Sequence, residues 1–265
     1  MPKRIRPRIL FNAKDHPLIS SGYGIIARHL APRLAKIYGR ESVVIMAPVH
    51  TRDYTDTFKG LTVLPGLEPS FGEDILKDHY SNYGCNLLIQ VGDWFMLRKI
   101  PELAAKNEIN WIQWAPYDFT NVPKPSLDML RFPMFIVPFT KYAYLKFRDH
   151  GATENLKDAI YLGLDFAVWK PQDRALLGRT MASMGYTESS FNILIVAANQ
   201  ERKYLKETFD GIRLFREKNP RVPVQLYLHT HLRHGGEREL DIELHESGLS
   251  DCTRVDQYIL AVGGL

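Results

Sequence analysis

The sequence predicts an α/β protein whose sheets are mainly parallel and covered by helices on both faces. Short, nearly continuous apolar runs rich in Val, Ile and aromatic residues recur along the chain, as in buried parallel strands. Amphipathic segments with helical spacing separate these runs. The alternation is interrupted once, near residues 165–171, and then resumes, so two structural units are expected.

Eight segments are predicted to be strands. In chain order they read RILFNA, SVVIMAPV, NLLIQVGD, INWIQWAP, MFIVPF, AIYLGLD, FNILIVAAN and VQLYLHTH. The segment YGIIARHLAPRLAKIYG, after the first of them, is predicted to be a helix. Its expected apolar face consists of Ile25, Ile26, His29, Leu30, Leu34 and Ile37.

Turn-forming residues in DFAVWKPQDR, including Pro171, predict a boundary between a first domain over residues 1–168 and a second over 169–265. Only two convincing strands follow this boundary. Because two strands and their helices do not make an independent doubly wound domain, we expect the second unit to be an appendage or an incomplete domain.

The charge of the chain gives no sign of a nucleic-acid partner. The formal net charge is +4, and four cations lie within the first eight residues, before the first acidic residue, Asp15. They are Lys3, Arg4, Arg6 and Arg8. The remainder is balanced, without a basic stripe interleaved with aromatics, so this tail predicts at most a weak contact with an anionic surface such as a membrane.

The sequence favours a cytoplasmic protein. The apolar stretch near the start, Ile9 to Phe11, is too short for the core of a signal peptide, and no run is long enough to span a bilayer. Cys85 and Cys252 lie far apart and lack metal-binding spacing, which predicts two buried thiols in a reducing compartment.

The segment SSGYGIIA is the first candidate phosphate site. Gly22, Gly24 and Ala27 fit the pattern G-x-G-x-x-A at a helix start, where backbone amides bind anions. The alternative is that the glycines serve only a tight loop. A nicotinamide site is disfavoured, because KDHPLISS separates the pattern from its strand and the second strand ends in Pro48-Val49-His50 without an acidic residue.

The segment ANQERKYLKE is the second candidate. Arg202 and Lys203 are predicted to lie at the start of a helix over residues 204–215, where the helix end already carries about half a positive charge. A phosphate group held by the Arg fork and the Lys ammonium would remove this conflict. The alternative is that both cations point into water and Glu201 offsets them.

Other polar residues carry weaker signals. His229, His231 and His234 lack a nearby carboxylate or Cys, so a polar strand end is expected rather than a metal site. Asp93 ends a strand at the same predicted sheet edge as Asp118, where ligands of open α/β sheets gather, which makes it an acceptor-side candidate.

Four segments, taken in order, resemble a GT-B glycosyltransferase of the retaining family 4 type. They are SGYGIIARHLAPRLA, WAPYDFTNVPKPSLDMLRFPMFIVPFTKYAYLKFRDHG, YLGLDFAVWKP and ILIVAANQERKYLKETFDGIRLFREKNPRVPVQLYLHTH. In the third, Leu162 stands where the family usually has His, and Trp169 takes the aromatic position. The resemblance implies a GT-B-like fold, with an N-terminal Rossmann-like domain and the first part of a second one.

The resemblance also implies site residues. The donor diphosphate would contact Gly22, Tyr23, Gly24, Arg202 and Lys203. Asp118 matches a polar residue that the family places near the transferred sugar, which implies a catalytic role. Asn199 and Asp93 are further candidates for lining the cleft that the family forms between its two domains.

The implied activity is transfer of a sugar, with retention of configuration, from a nucleotide-diphosphate sugar to a glycan, lipid or protein acceptor. Arg202, Lys203 and the amides around Gly22 would stabilise the departing diphosphate, so neither a metal nor another cofactor is expected. Asp118 would orient the acceptor hydroxyl and accept its proton.

The sequence departs from the family at its end. The family's E-G-F-G-L-x-x-x-E-A type motif, whose acidic residues hold the ribose and the donor sugar, is not found in these 265 residues. We therefore expect a truncated sequence. The alternative is a non-catalytic half-transferase that acts as a binding or assembly module.

Overall fold

The computed structural model describes residues 6–48, 55–66, 72–96, 98–106, 108–119, 122–187, 189–233 and 238–255. The chain divides into two compact units, Met1–Leu164 (unit 1) and Asp165–Leu265 (unit 2). The division lies at the beginning of DFAVWKPQDR, the segment that predicts a boundary.

Unit 1 is built on a sheet of seven strands within the described residues. They are Ile9–Asn12 (β1), Val43–Met46 (β2), Asp56–Phe58 (β3), Leu61–Leu64 (β4), Leu87–Val91 (β5), Trp111–Ala115 (β6) and Phe135–Pro138 (β7). Their order is β3-β4-β2-β1-β5-β6-β7. All neighbours are parallel except β3 and β4, so β1, β5 and β6 end side by side at one edge.

The described residues of unit 1 form five α-helices: Gly22–Tyr38 (α1), Leu76–Asn82 (α2), Ile100–Ala105 (α3), Lys124–Asp128 (α4) and Lys141–Asp149 (α5). The predicted helix after β1 is confirmed, but its apolar face is partly wrong. Ile25 is 46% exposed and Ile37 70% exposed. The helix instead buries Ala27 and Ala31, whose small side chains let it lie close to the sheet.

In unit 1, one predicted strand is wrong and two observed strands were not predicted. AIYLGLD is not a strand: Ile160 N–H donates to Pro138 O of β7, but no ladder forms in this segment, and Leu162 and Leu164 are largely exposed. The sequence analysis also missed the hairpin β3–β4. Its turn consists of Lys59 and Gly60, both with positive φ (50° and 75°), a conformation typical of tight hairpin turns.

Unit 2 contains a parallel sheet of three strands among the described residues, Phe191–Val196 (β8), Val224–His229 (β9) and Thr253–Val255 (β10), in the order β10-β9-β8. Its helices are Arg174–Ser183 (α6), Leu205–Lys218 (α7) and Leu240–Glu246 (α8). Its core includes residues from β8, β9, α7 and α8. On β8, Leu194 and Val196 are 60% and 66% exposed.

Two further sequence expectations concern the cysteines and the membrane. Cys85 is buried as predicted, whereas Cys252 is only partly buried, against the expectation for that thiol. No helix within the described ranges combines the length and apolar character needed to cross a bilayer.

Candidate functional site

Three loops of unit 1 meet at the edge where its parallel strands end. Lys14 and Asp15 follow β1, Asp93 follows β5 and Asp118 follows β6. Ligands of open α/β sheets bind at this edge, because the loops after adjacent strands converge there. The topology therefore brings Asp93 and Asp118, both predicted from the sequence, to neighbouring positions.

A row of buried amides lies beneath these loops. Asn12, Gln90 and Gln113 are register partners on β1, β5 and β6, and their exposed fractions are 1%, 5% and 0%. The side-chain amide of each residue forms a hydrogen bond with the backbone near the end of its own strand or of the neighbouring strand. Asn12 Oδ1 accepts from Lys14 N–H (3.1 Å), Gln90 Nε2 donates to Val91 O (3.1 Å), and Gln113 Nε2 donates to Gly92 O (2.7 Å).

The sequence analysis missed this row. Its signal was one polar residue at a matching position in each of three apolar strands, FNA, IQV and IQW. Since burying an amide is costly unless it is hydrogen-bonded, such residues are retained where they fix the backbone.

The glycine loop begins α1 through a side-chain cap. Ser21 Oγ accepts from Gly24 N–H (3.0 Å) and donates to the carboxylate of Asp15. A Cβ on Gly24 would lie 2.4 Å from Ile19 O, whereas one on Gly22 would meet no atom within 4 Å. Close packing therefore requires glycine at position 24 but not at 22, and Gly22 faces open space where a ligand has room.

Tyr23 joins the glycine loop to Asp93. Its hydroxyl donates a long hydrogen bond of 3.4 Å to Asp93 Oδ2, and Lys14 Nζ lies 5.6 Å from the centre of its ring. Gly92 has φ of 117°, and a Cβ there would lie 3.0 Å from the Tyr23 ring. Glycine at position 92 thus allows both the turn into Asp93 and the approach of the ring.

The loops create a partly desolvated, negatively charged site. Burial, and then the neighbouring charge of Asp118, raise the pKa of Asp93, while the Tyr23 hydrogen bond and Lys14 oppose the shift. Burial, and then Asp93, raise the pKa of Tyr23, with further contributions from Asp118 and Asp15. Perturbed groups of this kind are concentrated at functional sites.

We predict that Asp93→Asn stabilises the protein at neutral pH. A pKa raised by folding means that the folded state holds the proton more tightly than the unfolded chain, so stability is lost as the pH rises through the raised pKa. An amide removes this cost and can still accept from Tyr23. Thermal unfolding should give a higher Tm for the variant at neutral pH and equal values near about pH 3, below the ordinary aspartate pKa.

The exposed carboxyl of Glu154, also in unit 1, provides the control for this experiment. In Glu154→Gln, the difference between the Tm at neutral pH and the Tm at the acidic pH should be the same as in the wild type. A lower Tm for Asp93→Asn at neutral pH would show that the carboxylate stabilises the fold and would contradict the prediction.

In unit 2, Arg202 and Lys203 lie in a single 3-10 turn, Glu201–Lys203, just before α7. The helix begins at Leu205 rather than at residue 204, and Tyr204 precedes it in a left-handed conformation (φ 51°). Both cationic side chains are exposed. Within the described residues neither forms an ion pair, so both are free to bind an anion near the positive end of α7.

Asn199 and Thr230 follow β8 and β9 at the same edge of the unit 2 sheet, and each is 2% exposed. Asn199 Nδ2 donates to Arg238 O (2.7 Å) and, more weakly, to Leu232 O (3.4 Å). Among the described residues, Asn199 Oδ1 and Thr230 Oγ1 have no hydrogen-bond partner. Buried polar atoms usually have partners, so this edge has hydrogen-bonding capacity to spare.

Of the three histidines considered as metal ligands in the sequence, His234 lies outside the described residues. His229 and His231 belong to the part of the chain that the structure describes. In that part, no three His, Cys, Asp or Glu side chains are arranged to hold a metal ion.

Solved structures with a similar fold share little sequence with this chain. The Anabaena protein Alr3699/HepE in complex with UDP and glucose has a TM-score of 0.61 at 14% identity, over 94% of this chain and 68% of its own. A glycosyltransferase from Rickettsia africae has the same TM-score at 9% identity, over 95% of this chain and 68% of its own.

The same score is reached by an E. coli structure described as trehalose-6-phosphate bound with UDP-2-fluoro glucose, at 12% identity over 95% of this chain and 74% of that one. The UDP-GlcNAc 2-epimerase of Neisseria meningitidis, bound to UDP-GlcNAc, is less similar, with a TM-score of 0.53 at 11% identity over 96% and 73%.

No protein-family model and no curated protein sequence matches the chain. At identities this low the structural likeness shows the fold alone. The predicted fold class is confirmed: the chain is an α/β protein of the GT-B type, with Rossmann-like units.

Proposed function

We propose that the protein is a glycosyltransferase of the retaining family 4 type that takes its sugar from a nucleotide-diphosphate donor. The observation that carries the proposal is the pair of exposed cations, Arg202 and Lys203, next to the N-terminus of α7 in a GT-B fold. Helix N-termini after parallel strands bind phosphate groups, and an Arg–Lys pair adds charge and a planar fork.

In the proposed reaction, the bond between the donor sugar and the diphosphate breaks as the acceptor hydroxyl attacks. Arg202 and Lys203 stabilise the negative charge that develops on the diphosphate, which makes a divalent cation unnecessary. The attack occurs on the face that the leaving group departs from, so configuration is retained without a protein nucleophile.

Asp118 is the proposed catalytic residue. It is exposed at the end of the β6 loop, and its charge acts on both Tyr23 and Asp93. From there it would orient the acceptor hydroxyl and take its proton. The acceptor is a glycan, a lipid or a protein, and the reaction is placed in the cytoplasm, with peripheral contact to a membrane through the basic N-terminal segment.

Two other functions use the same kind of fold. An epimerase is among the structurally similar proteins, so the fold alone does not separate sugar transfer from epimerisation. A non-catalytic binding module is the second alternative. An epimerase, a binding module and a transferase differ in whether and how they change a bound nucleotide sugar.

The test compares nucleoside diphosphates with monophosphates and then follows the donor. By calorimetry we expect UDP, ADP or GDP to bind at least tenfold more tightly than its monophosphate, because the second phosphate meets the cations, and EDTA should not change this ratio. Equal affinities, or no binding at all, would refute the phosphate site.

NMR of the matching nucleotide sugar, incubated with a mixture of acceptors, separates the remaining alternatives. Release of the nucleoside diphosphate with a new α-linked product from an α-linked donor supports retaining transfer. Inversion at C2 of the sugar identifies an epimerase. A donor that binds and stays intact identifies a binding module.

A further inference from the structure

We infer that His16 and Asp56 form a positioning pair that holds the glycine loop in place for the donor diphosphate. His16 lies in the loop between β1 and α1, and Asp56 begins β3. The pair acts through the first turn of α1, which the family resemblance places against the diphosphate. The inference therefore rests on the proposed function, and it adds two residues that lie outside the glycine pattern.

The loop after β1 reaches across the sheet to make this contact. In the order β3-β4-β2-β1, three strand spacings of about 4.8 Å place β1 and β3 about 14 Å apart. Asp56 pairs with Val63, near the carboxyl end of β4, and its Oδ2 lies 3.2 Å from His16 Nε2. The loop therefore runs past the ends of β2 and β4 before it returns to α1, and Asp56 is a contact at its far side.

The ring of His16 is fixed from two sides. Only 7% of the residue is exposed. Leu18 N–H donates to Nδ1 (3.1 Å), so Nδ1 carries a lone pair and the proton of the neutral ring is on Nε2. This buried N–H forms no well-aligned hydrogen bond among the described residues, and the charge of the Asp56 carboxylate compensates it. Asp56 Oδ1 accepts from Thr57 N–H (2.6 Å), which leaves Oδ2 toward the ring.

The turn that begins at His16 is the surface on which α1 starts. His16 O accepts from Ile19 N–H (2.9 Å), which closes the turn. A Cβ on Gly24 would lie 2.8 Å from His16 O, so the first turn of the helix packs directly against this carbonyl. Arg28, one turn further along α1, donates from Nε to Pro17 O (2.7 Å). A shift of the turn would therefore move the amides at the start of α1.

This arrangement affects ligand binding because ordering a loop at the moment of binding costs free energy. Backbone amides that are already held in place bind an anion more tightly. Ser21 Oγ, which accepts from Gly24 N–H (3.0 Å), orders the helix start from the near end of the loop. His16 and Asp56 order it from the far end.

Amide hydrogen exchange of the ligand-free, 265-residue protein tests the positioning. Leu18 and Gly24 are the reporters, because their N–H groups donate to side chains within the loop. Asp56→Ala should speed exchange at both amides by about fivefold or more, since it makes local opening easier. Thr57→Ala removes an exposed side chain from the next position of β3 and should leave both rates unchanged. Asp56→Asn keeps an acceptor for the ring and should restore most of the protection.

Calorimetry with UDP, ADP and GDP tests the effect on the donor. Asp56→Ala and His16→Asn should each weaken binding about threefold to tenfold, the range of one hydrogen bond. The double variant should lose no more than the more affected single variant, within about twofold, because the two residues act as a unit. Asp56→Asn should bind nearly as tightly as the wild type. A purely structural role would lower Tm without this pattern of affinities.

Two results would overturn the inference: unchanged exchange at Leu18 and Gly24 in Asp56→Ala, or unchanged affinity in variants whose loop amides exchange faster. Failure of the proposed function gives a different result. In that case UDP, ADP and GDP do not bind the wild type either, and the exchange rates still decide whether the pair positions the loop.

Discussion

Replacing Gly24 with alanine is expected to destabilise unit 1 by about 3 kcal/mol or more, because the new Cβ has no space. It would lie 2.4 Å from Ile19 O and 2.8 Å from His16 O, both backbone atoms that cannot rotate away. Relief requires moving the loop or the first turn of α1, which breaks the Ser21 cap. Thermal unfolding should show a loss of roughly 6–12 °C.

Gly22→Ala is the matched control two residues earlier. A Cβ there meets no atom within 4 Å, and alanine favours helix over glycine, so Tm should be unchanged or slightly higher. Equal Tm losses in the two variants would contradict the packing account of Gly24. Gly22→Ala also tests the glycine as a ligand contact: a lower affinity for UDP in a fully stable protein supports that role, and unchanged affinity argues against it.

The parts of the fold that could be predicted from sequence are those with a local signal. Buried parallel strands such as β5 and β6 read as apolar runs, and α1 as an amphipathic helix. The hairpin β3–β4 was missed because its strands are short and Asp56 and Thr57 break the apolar pattern. AIYLGLD has the composition of a strand, but it lies at the edge beyond β7 and only part of it contacts the sheet through its backbone.

The candidate site also contains residues that could be predicted from a local signal and residues that could not. Asp93 and Asp118 were predictable because polar residues that end parallel strands share one edge of the sheet. The role of Asp15 was not, because it depends on the chain turning back so that Ser21 reaches its carboxylate. Nor was Lys14, which adopts φ of 68° after Asn12 fixes its N–H, a conformation rare for residues other than Gly, Asn and Asp.

The electrostatic repulsion between the positive end of α7 and the cations Arg202 and Lys203 is weaker than the sequence suggests. They belong to a separate turn, and α7 begins two residues after Lys203 with Glu207 in its first turn, as the helix dipole favours. Tyr204 has φ of 51°, which is strained for a bulky residue, and such strain is found preferentially at ligand-binding sites. The turn therefore presents both cations without requiring an anion for the helix to form.

Arg202→Ala is expected to weaken binding of UDP by roughly tenfold to a hundredfold, the range for a hydrogen bond between charged groups. Tm should stay within about 1 °C of wild type, because the side chain is exposed. Arg221→Ala removes an equally exposed arginine outside this turn and should leave the affinity unchanged. Lys203→Ala should lower the affinity for UDP less than Arg202→Ala does, because an ammonium is a point charge and cannot hold two phosphate oxygens in a planar fork. Equal losses in Arg202→Ala and Arg221→Ala would indicate that only net charge matters, and no loss in either would remove Arg202 from the donor site.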